Sequence, residues 1–137
     1  MRSKINILIA DDHTVVRAGL KAILGFERDF TVVGEATNGL EAVKRAAELK
    51  PDVVIMDLMM PKLGGAEATA QITAANPDVH VIILTTYGSA EDISRALEAG
   101  ATGALMKTAS NEQLANAIRK VADGGKCIAP EIAKSIR

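Results

Sequence analysis

Short apolar runs alternate with amphipathic stretches along almost the whole chain. Ile5, Ile7 and Ile9, interleaved with Asn6, Leu8 and Ala10, form a β-branched run that stops abruptly at Asp11-Asp12. That is the pattern of a buried strand ending in charge. Val15, Val16, Leu20, Ile23 and Leu24 then recur at spacings of three and four and predict a helix. Phe30 to Glu35 reads as a second strand, and Val33-Gly34-Glu35-Ala36 is less fully apolar, as suits an edge. Asn38, with Glu41 three residues on, predicts a capping box opening a helix whose apolar side is Leu40, Val43, Ala47 and Leu49.

Pro51 breaks that helix, and Asp52 to Met56 is a central strand ending at Asp57. After Pro61 and Gly64-Gly65 a helix is predicted from about Ala66 to Ala74, then a fourth strand from Val79 to Leu84 ending at Thr85-Thr86. Ser89 is placed to cap a helix through Ile93, Ala96 and Leu97 that Gly100 stops. A brief fifth strand runs from about Gly103 to Met106 and ends at Lys107. Ser110 and Gln113 form another capping box ahead of Leu114, Ala117, Ile118 and Val121, and Gly124-Gly125 closes that helix.

Near-continuous apolar strands alternating with amphipathic helices predict an α/β fold: a doubly wound parallel sheet of five strands with helices on both faces. Residues 1–124 make that unit. Residues 125–137 read as a linker or the start of an extra helix, with Pro130 at its first turn.

Composition and charge narrow the function. The 137 residues are 48% hydrophobic, enough for one real core, and the formal net charge of -1 supplies no dominant basic field for direct nucleic-acid binding. Cys127 is the only cysteine, which excludes an intrachain disulfide framework, and two isolated histidines make no His-based zinc centre. The N-terminus runs straight into a strand pattern and no apolar run is long enough to span a bilayer, so a cytoplasmic protein without a membrane partner is expected.

In a doubly wound sheet, sites form beyond the C-terminal ends of the strands. Asp11, Asp12, Asp57, Thr85 and Lys107 all stand there, contributed by four strands. Three carboxylates held together repel one another, and a divalent cation relieves that cost. All-oxygen ligation points to Mg2+. Asp12 is then the main metal ligand with Asp11 beside it, and the backbone carbonyl of Met59 reaches the metal from the loop. Asp57 is the nucleophile that attacks phosphorus to give an acyl phosphate. Lys107 and Thr85 stabilise the phosphoryl oxygens, and an ionised carboxylate needs no separate base.

Other features read as structure. His13 starts the first helix, facing solvent or capping, and His80 belongs to a strand. Met56, Met59, Met60 and Met106 serve packing, since magnesium rejects thioether. Gly64-Gly65 is not a phosphate-binding loop, and no dinucleotide-binding glycine fingerprint follows the first strand.

Taken jointly, Asp11-Asp12, Asp57 with Met60-Pro61, Thr85 and Lys107 resemble the signature of response-regulator receiver domains of bacterial two-component systems. The resemblance runs from about Lys4 to Gly124. Asp11-Asp12-His13, Val16-Arg17, Gly19-Leu20, Val33-Gly34-Glu35-Ala36, Asn38-Gly39 and Gly100-Ala101-Gly103 are similar to the subgroup carrying a C-terminal LuxR-type helix-turn-helix domain.

This implies a flavodoxin-like topology with strand order 2-1-3-4-5. It also implies phosphate arriving from a phosphohistidine of a sensor histidine kinase, with Mg2+ required, and a homodimer on phosphorylation. DNA would be bound only through a C-terminal domain missing from this chain. The only catalysis implied is the domain's own aspartyl phosphorylation and dephosphorylation. Two departures stand out. The switch position three residues before Lys107, often aromatic in the family, is Ala104; and the loop before Gly65 lacks the acidic residue that many relatives carry. Thr86 and Tyr87 are auxiliary candidates, Tyr87 as a partial substitute for the missing aromatic. Alternative readings are a receiver-like scaffold that recognises a partner without phosphorylation, and a single-domain phosphorelay intermediate. A haloacid-dehalogenase-type hydrolase would want a second Asp two residues after Asp57, where Met59 stands.

Overall fold

Nine consecutive-strand positions in the middle of the molecule are fully or almost fully sealed from solvent, and they set the sheet. They are Ile7, Leu8 and Ile9, Val53, Val54 and Ile55, and Val81, Ile82 and Ile83. Burying an aliphatic side chain of this size contributes about 1.5–3 kcal/mol, so this block dominates folding and tolerates charge at its margin. The computed structural model describes residues 4–86 and 90–136. The elements in order are β1 (Ile5–Ala10), α1 (Thr14–Leu24), β2 (Phe30–Ala36), α2 (Gly39–Leu49), β3 (Val53–Met56) and α3 (Gly65–Ala75). They continue as β4 (His80–Thr85), α4 (Ala90–Glu98), β5 (Gly103–Met106), α5 (Asn111–Ala122), β6 (Cys127–Ile128) and α6 (Pro130–Ser135).

All strand pairs are parallel, in the order β2-β1-β3-β4-β5-β6. The expected 2-1-3-4-5 arrangement is present, and β6 extends it by one strand. Gly103 and Ala104 pair with Cys127 and Ile128, and the Ala129 N–H donates to the Ala104 carbonyl at 2.9 Å. The expectation of five strands is corrected on this point. A two-residue strand has no periodicity of its own, and only pairing with β5 makes it one. Pro130 opens α6, which buries Ile132. α2, α3 and α4 lie side by side on one face. On the other face Arg119 of α5 binds Asp29 and Glu27 beyond α1 and covers the Phe30 ring at 4.8 Å.

Two helices turn differently from their apolar pattern. In α1 the buried row is Leu20 and Leu24, with Val16 and Ile23 half-buried, while Val15 is 83% exposed. In α2 the sheet-facing row is Gly39, Ala42 and Ala46, with Leu40 and Ala47 exposed. Small residues let α2 approach closely, and a Cβ on Gly39 would stand 2.0 Å from the Leu63 carbonyl oxygen. That contact holds the loop after β3 against α2.

The caps follow the sequence with one change. Ser110 and Gln113 exchange both bonds of a capping box. Asn38 accepts from the Glu41 N–H at 2.8 Å, but the Glu41 carboxylate reaches past Asn38 to the Thr37 N–H. Gly100, with φ of 120°, ends the α4 segment in a left-handed conformation that glycine adopts without strain. Ser89 and Tyr87 lie outside the described residues.

Candidate functional site

β1 and β3 are neighbours, and each ends in an acid. Sheet hydrogen bonding carries on through both: the Asp11 N–H donates to the Ala36 carbonyl at 3.0 Å and the Asp57 N–H to the Ala10 carbonyl at 2.9 Å. The two carboxylates are thereby fixed side by side, at 2% and 5% exposure. Asp12, the next residue, is exposed. One ligand atom from each of Asp11, Asp12, His13 and Asp57 lies within 4.8 Å of the others.

Lys107 follows β5 and reaches into this group. Its N–H donates to the Thr85 carbonyl at 2.7 Å, which aims the residue. Nζ then lies 2.8 Å from Asp11 Oδ2 and 3.5 Å from Asp57 Oδ2. The sequence reading aimed Lys107 at a phosphate; in this structure its hydrogen bond goes to Asp11. Thr85, 1% exposed, ends β4 next to Met106 of β5. Thr86 is exposed beyond it.

The electrostatics divide the two buried acids. Burial, followed by the charge of Asp11, pushes the Asp57 carboxyl above its ordinary 3.8 despite Lys107. Burial would raise Asp11 too, but hydrogen bonds from Lys107 and from the His13 N–H outweigh it and hold Asp11 below the usual value. Burial works against the Lys107 ammonium, yet the two carboxylates raise it above 10.5. The site thus has one well-compensated carboxylate and one under-compensated carboxylate.

The loop after β3 is pinned by close approach. Gly65 N–H donates to the Leu58 carbonyl at 2.9 Å, and a Cβ at Gly65 would stand 2.3 Å from the Asp57 carbonyl oxygen. A glycine is needed here for space. The Met59 N–H lies 3.5 Å from Asp57 Oδ1, and the Met59 side chain is 63% exposed. A groove of about 410 Å³ opens beside the acids, lined by Asp12, Leu58, Met59, Met60, Glu67 and Arg95 among others.

Two contributors were not legible as such. His13 is the N-cap residue of α1, but its side chain makes no cap bond and instead turns back, with Nδ1 2.9 Å from Asp11 Oδ1 and 3.2 Å from Asp12 Oδ1. Arg17 braces the end of β1 by donating from Nη1 to the Asp11 carbonyl at 2.8 Å while Nε binds Glu35 at 3.0 Å. The i to i+4 step from His13 to Arg17 was the available signal. Ala104 is completely buried in β5, opposite Ile83 of β4.

The donor set fits a hard divalent cation, because three carboxylates offer oxygen ligands and Lys107 stands between two of them as a compensating charge. Among the described residues, no helix is long and apolar enough to cross a membrane.

Comparison with known proteins agrees with this geometry. The chain is 40% identical over 133 residues to the response regulator protein VraR of Staphylococcus aureus, covering 97% of this chain and 64% of that protein, so it spans slightly less than two thirds of that relative. A two-component response regulator of the LuxR family from Aurantimonas sp. superposes with a TM-score of 0.90 at 34% identity, over 98% of this chain and 96% of the other. The isolated REC domain of RcsB from Salmonella enterica serovar Typhimurium, solved in the presence of phosphomimetic BeF3-, gives 0.87 at 25% identity over 98% and 100% of the two chains. Residues 7–119 match the model of the response regulator receiver domain. With paired acids at the ends of adjacent strands and a lysine between them, this chain belongs to the response-regulator receiver domain family.

Proposed function

We propose that Asp57 accepts a phosphoryl group from a phosphohistidine of a sensor histidine kinase. The observation that carries this is the asymmetry of the two buried acids: Asp11 is occupied by Lys107 and His13, while Asp57 faces the cluster under-compensated. An Asp57 oxygen attacks phosphorus as the phosphorus–nitrogen bond of the donor breaks and the imidazole departs. Asp11, Asp12, Asp57 and the backbone carbonyl of Met59 hold Mg2+. When bound, that ion neutralises charge on the phosphoryl oxygens and the carboxylates. Lys107 leaves Asp11 for the new phosphoryl group, and Thr85 offers its hydroxyl to it. Thr86 is an auxiliary residue beside Thr85, and Tyr87 an auxiliary candidate for the aromatic role that Ala104 lacks.

The added charge brings the residue to roughly -2. Inward movement of Thr85 and Lys107 then biases α4, β5 and α5 towards a homodimer. With Ala104 at the switch position, that transmission lacks an aromatic side chain. Residues 1–124, with β6 and α6 packed on them, form the phosphoacceptor domain, and the chain leads on towards a C-terminal helix-turn-helix that binds DNA and regulates transcription in the cytoplasm. The length of VraR beyond the shared region supports this extension.

Acetyl phosphate or phosphoramidate with Mg2+ should label the wild-type chain, and Asp57→Asn should abolish the label completely. Retained labelling in that variant rejects the assignment. Backbone resonances from 90 to 107 should shift when Mg2+ and a phosphate mimic bind; an unchanged spectrum rejects the transmission step.

A further inference from the structure

Packed against the acids is a nitrogen donor that oxygen-based magnesium chemistry does not use. His13 Nδ1 lies 2.9 Å from Asp11 Oδ1 and 3.2 Å from Asp12 Oδ1. An octahedral ion with bonds of about 2.1 Å separates adjacent ligands by roughly 3.0 Å and opposed ones by roughly 4.2 Å. All four donor atoms lie within 4.8 Å of one another, and the two His13 contacts match the spacing of adjacent ligands. The imidazole therefore stands at the spacing of one coordination sphere shared with Asp11 and Asp12.

Chemistry then separates the ions. Magnesium takes oxygen ligands and keeps its waters, whereas manganese, cobalt, nickel and zinc accept imidazole together with carboxylate. We propose that His13, through Nδ1, is an additional ligand for first-row transition-metal cations at this site and a determinant of which divalent ion the domain holds. This rests on the reading of Asp11, Asp12 and Asp57 as the metal-holding carboxylates. His13 would help to hold a transition-metal ion through Nδ1 and would not be needed to hold magnesium; its side chain is 62% exposed.

His13 heads α1 through its backbone and makes no side-chain cap bond there, so replacing the imidazole leaves the helix start intact. The test uses the whole chain at one fixed pH, as wild type and His13→Ala, with circular dichroism to confirm equal folding. Manganese affinity is read from the electron paramagnetic resonance of the free ion, magnesium affinity by competition, and directly bound nitrogen from electron spin-echo modulation of the bound manganese. Wild type should show the nitrogen coupling and His13→Ala should lose it. Manganese binding should weaken about tenfold in the variant, while magnesium binding changes less than about twofold. Manganese bound with equal affinity in both proteins and no nitrogen coupling overturns the role of His13 and leaves the carboxylate site standing. Failure of wild type to bind either ion overturns both.

Discussion

The C-terminal end of β1 and β3 and the β5–β6 margin lie in one sheet but are held by opposite means. At the first, Asp11 and Asp57 are buried beside each other, and Lys107 reaches across from β5 to keep them together. At the second, Ala104, Ala129 and Ile132 are buried, two parallel residues pair with β5, and the contacts are backbone bonds and apolar packing. The first region carries unresolved repulsion in the folded state; the second carries none. A receiver needs both. In the proposed switch a change of charge at Asp57 passes to Lys107, which directly follows β5, so β5 has to rest on something firm.

Breaking the packed margin should cost most. Ile132→Ala removes a side chain that is 2% exposed and should destabilise the domain by about 3 kcal/mol in urea titration, with Asp57 labelling retained. If labelling is lost as well, the two regions are not separable in this way. Gly65→Ala drives a Cβ into the Asp57 carbonyl and should cost about 2 kcal/mol while lowering magnesium affinity, measured by calorimetry.

Lys107→Met removes the charge shared by Asp11 and Asp57 and should cost roughly 1.5 kcal/mol near neutral pH. Its pH dependence has a definite sign. Asp11 is held below 3.8 in the fold, so its contribution is complete above that value and is lost as pH falls through the lowered one. Lys107 is raised, so its contribution is complete below 10.5 and is lost as pH climbs through the raised value. Wild type and Lys107→Met should therefore converge in stability at both extremes.

The smallest effect should have the opposite direction. Asp57 is raised, so its ionisation opposes folding above the raised value, and the opposition vanishes below 3.8. Asp57→Asn should melt at a slightly higher temperature than wild type at pH 7, with the gain disappearing on strong acidification.

Legibility in the sequence followed the same division. The strands β1, β3 and β4 were plain because both faces are buried and the runs are continuously apolar, and their terminal acids stood out as breaks. The site residues Asp11, Asp12 and Asp57 come together because their strands are adjacent, which the α/β alternation predicts. The partner chosen by Lys107 was not legible, since it depends on distances across 96 residues of chain. Val15 and Leu40 misled because their apolar character suggested burial, whereas small residues define the sheet-facing row of α2. β6 exists only through pairing with Gly103 and Ala104.

The two margins of the sheet also decide how copies of the molecule can meet. β2 carries a register shift opposite Ile7 and Leu8, followed by Gly34 and by Glu35, which binds Arg17 and Lys21. A shifted strand with charge across it is a poor template for another chain, and at the far margin β6 offers only two residues. Neither edge invites strand-by-strand growth. A homodimer of the kind proposed would therefore have to form through helices and loops, and edge-to-edge stacking of sheets is disfavoured.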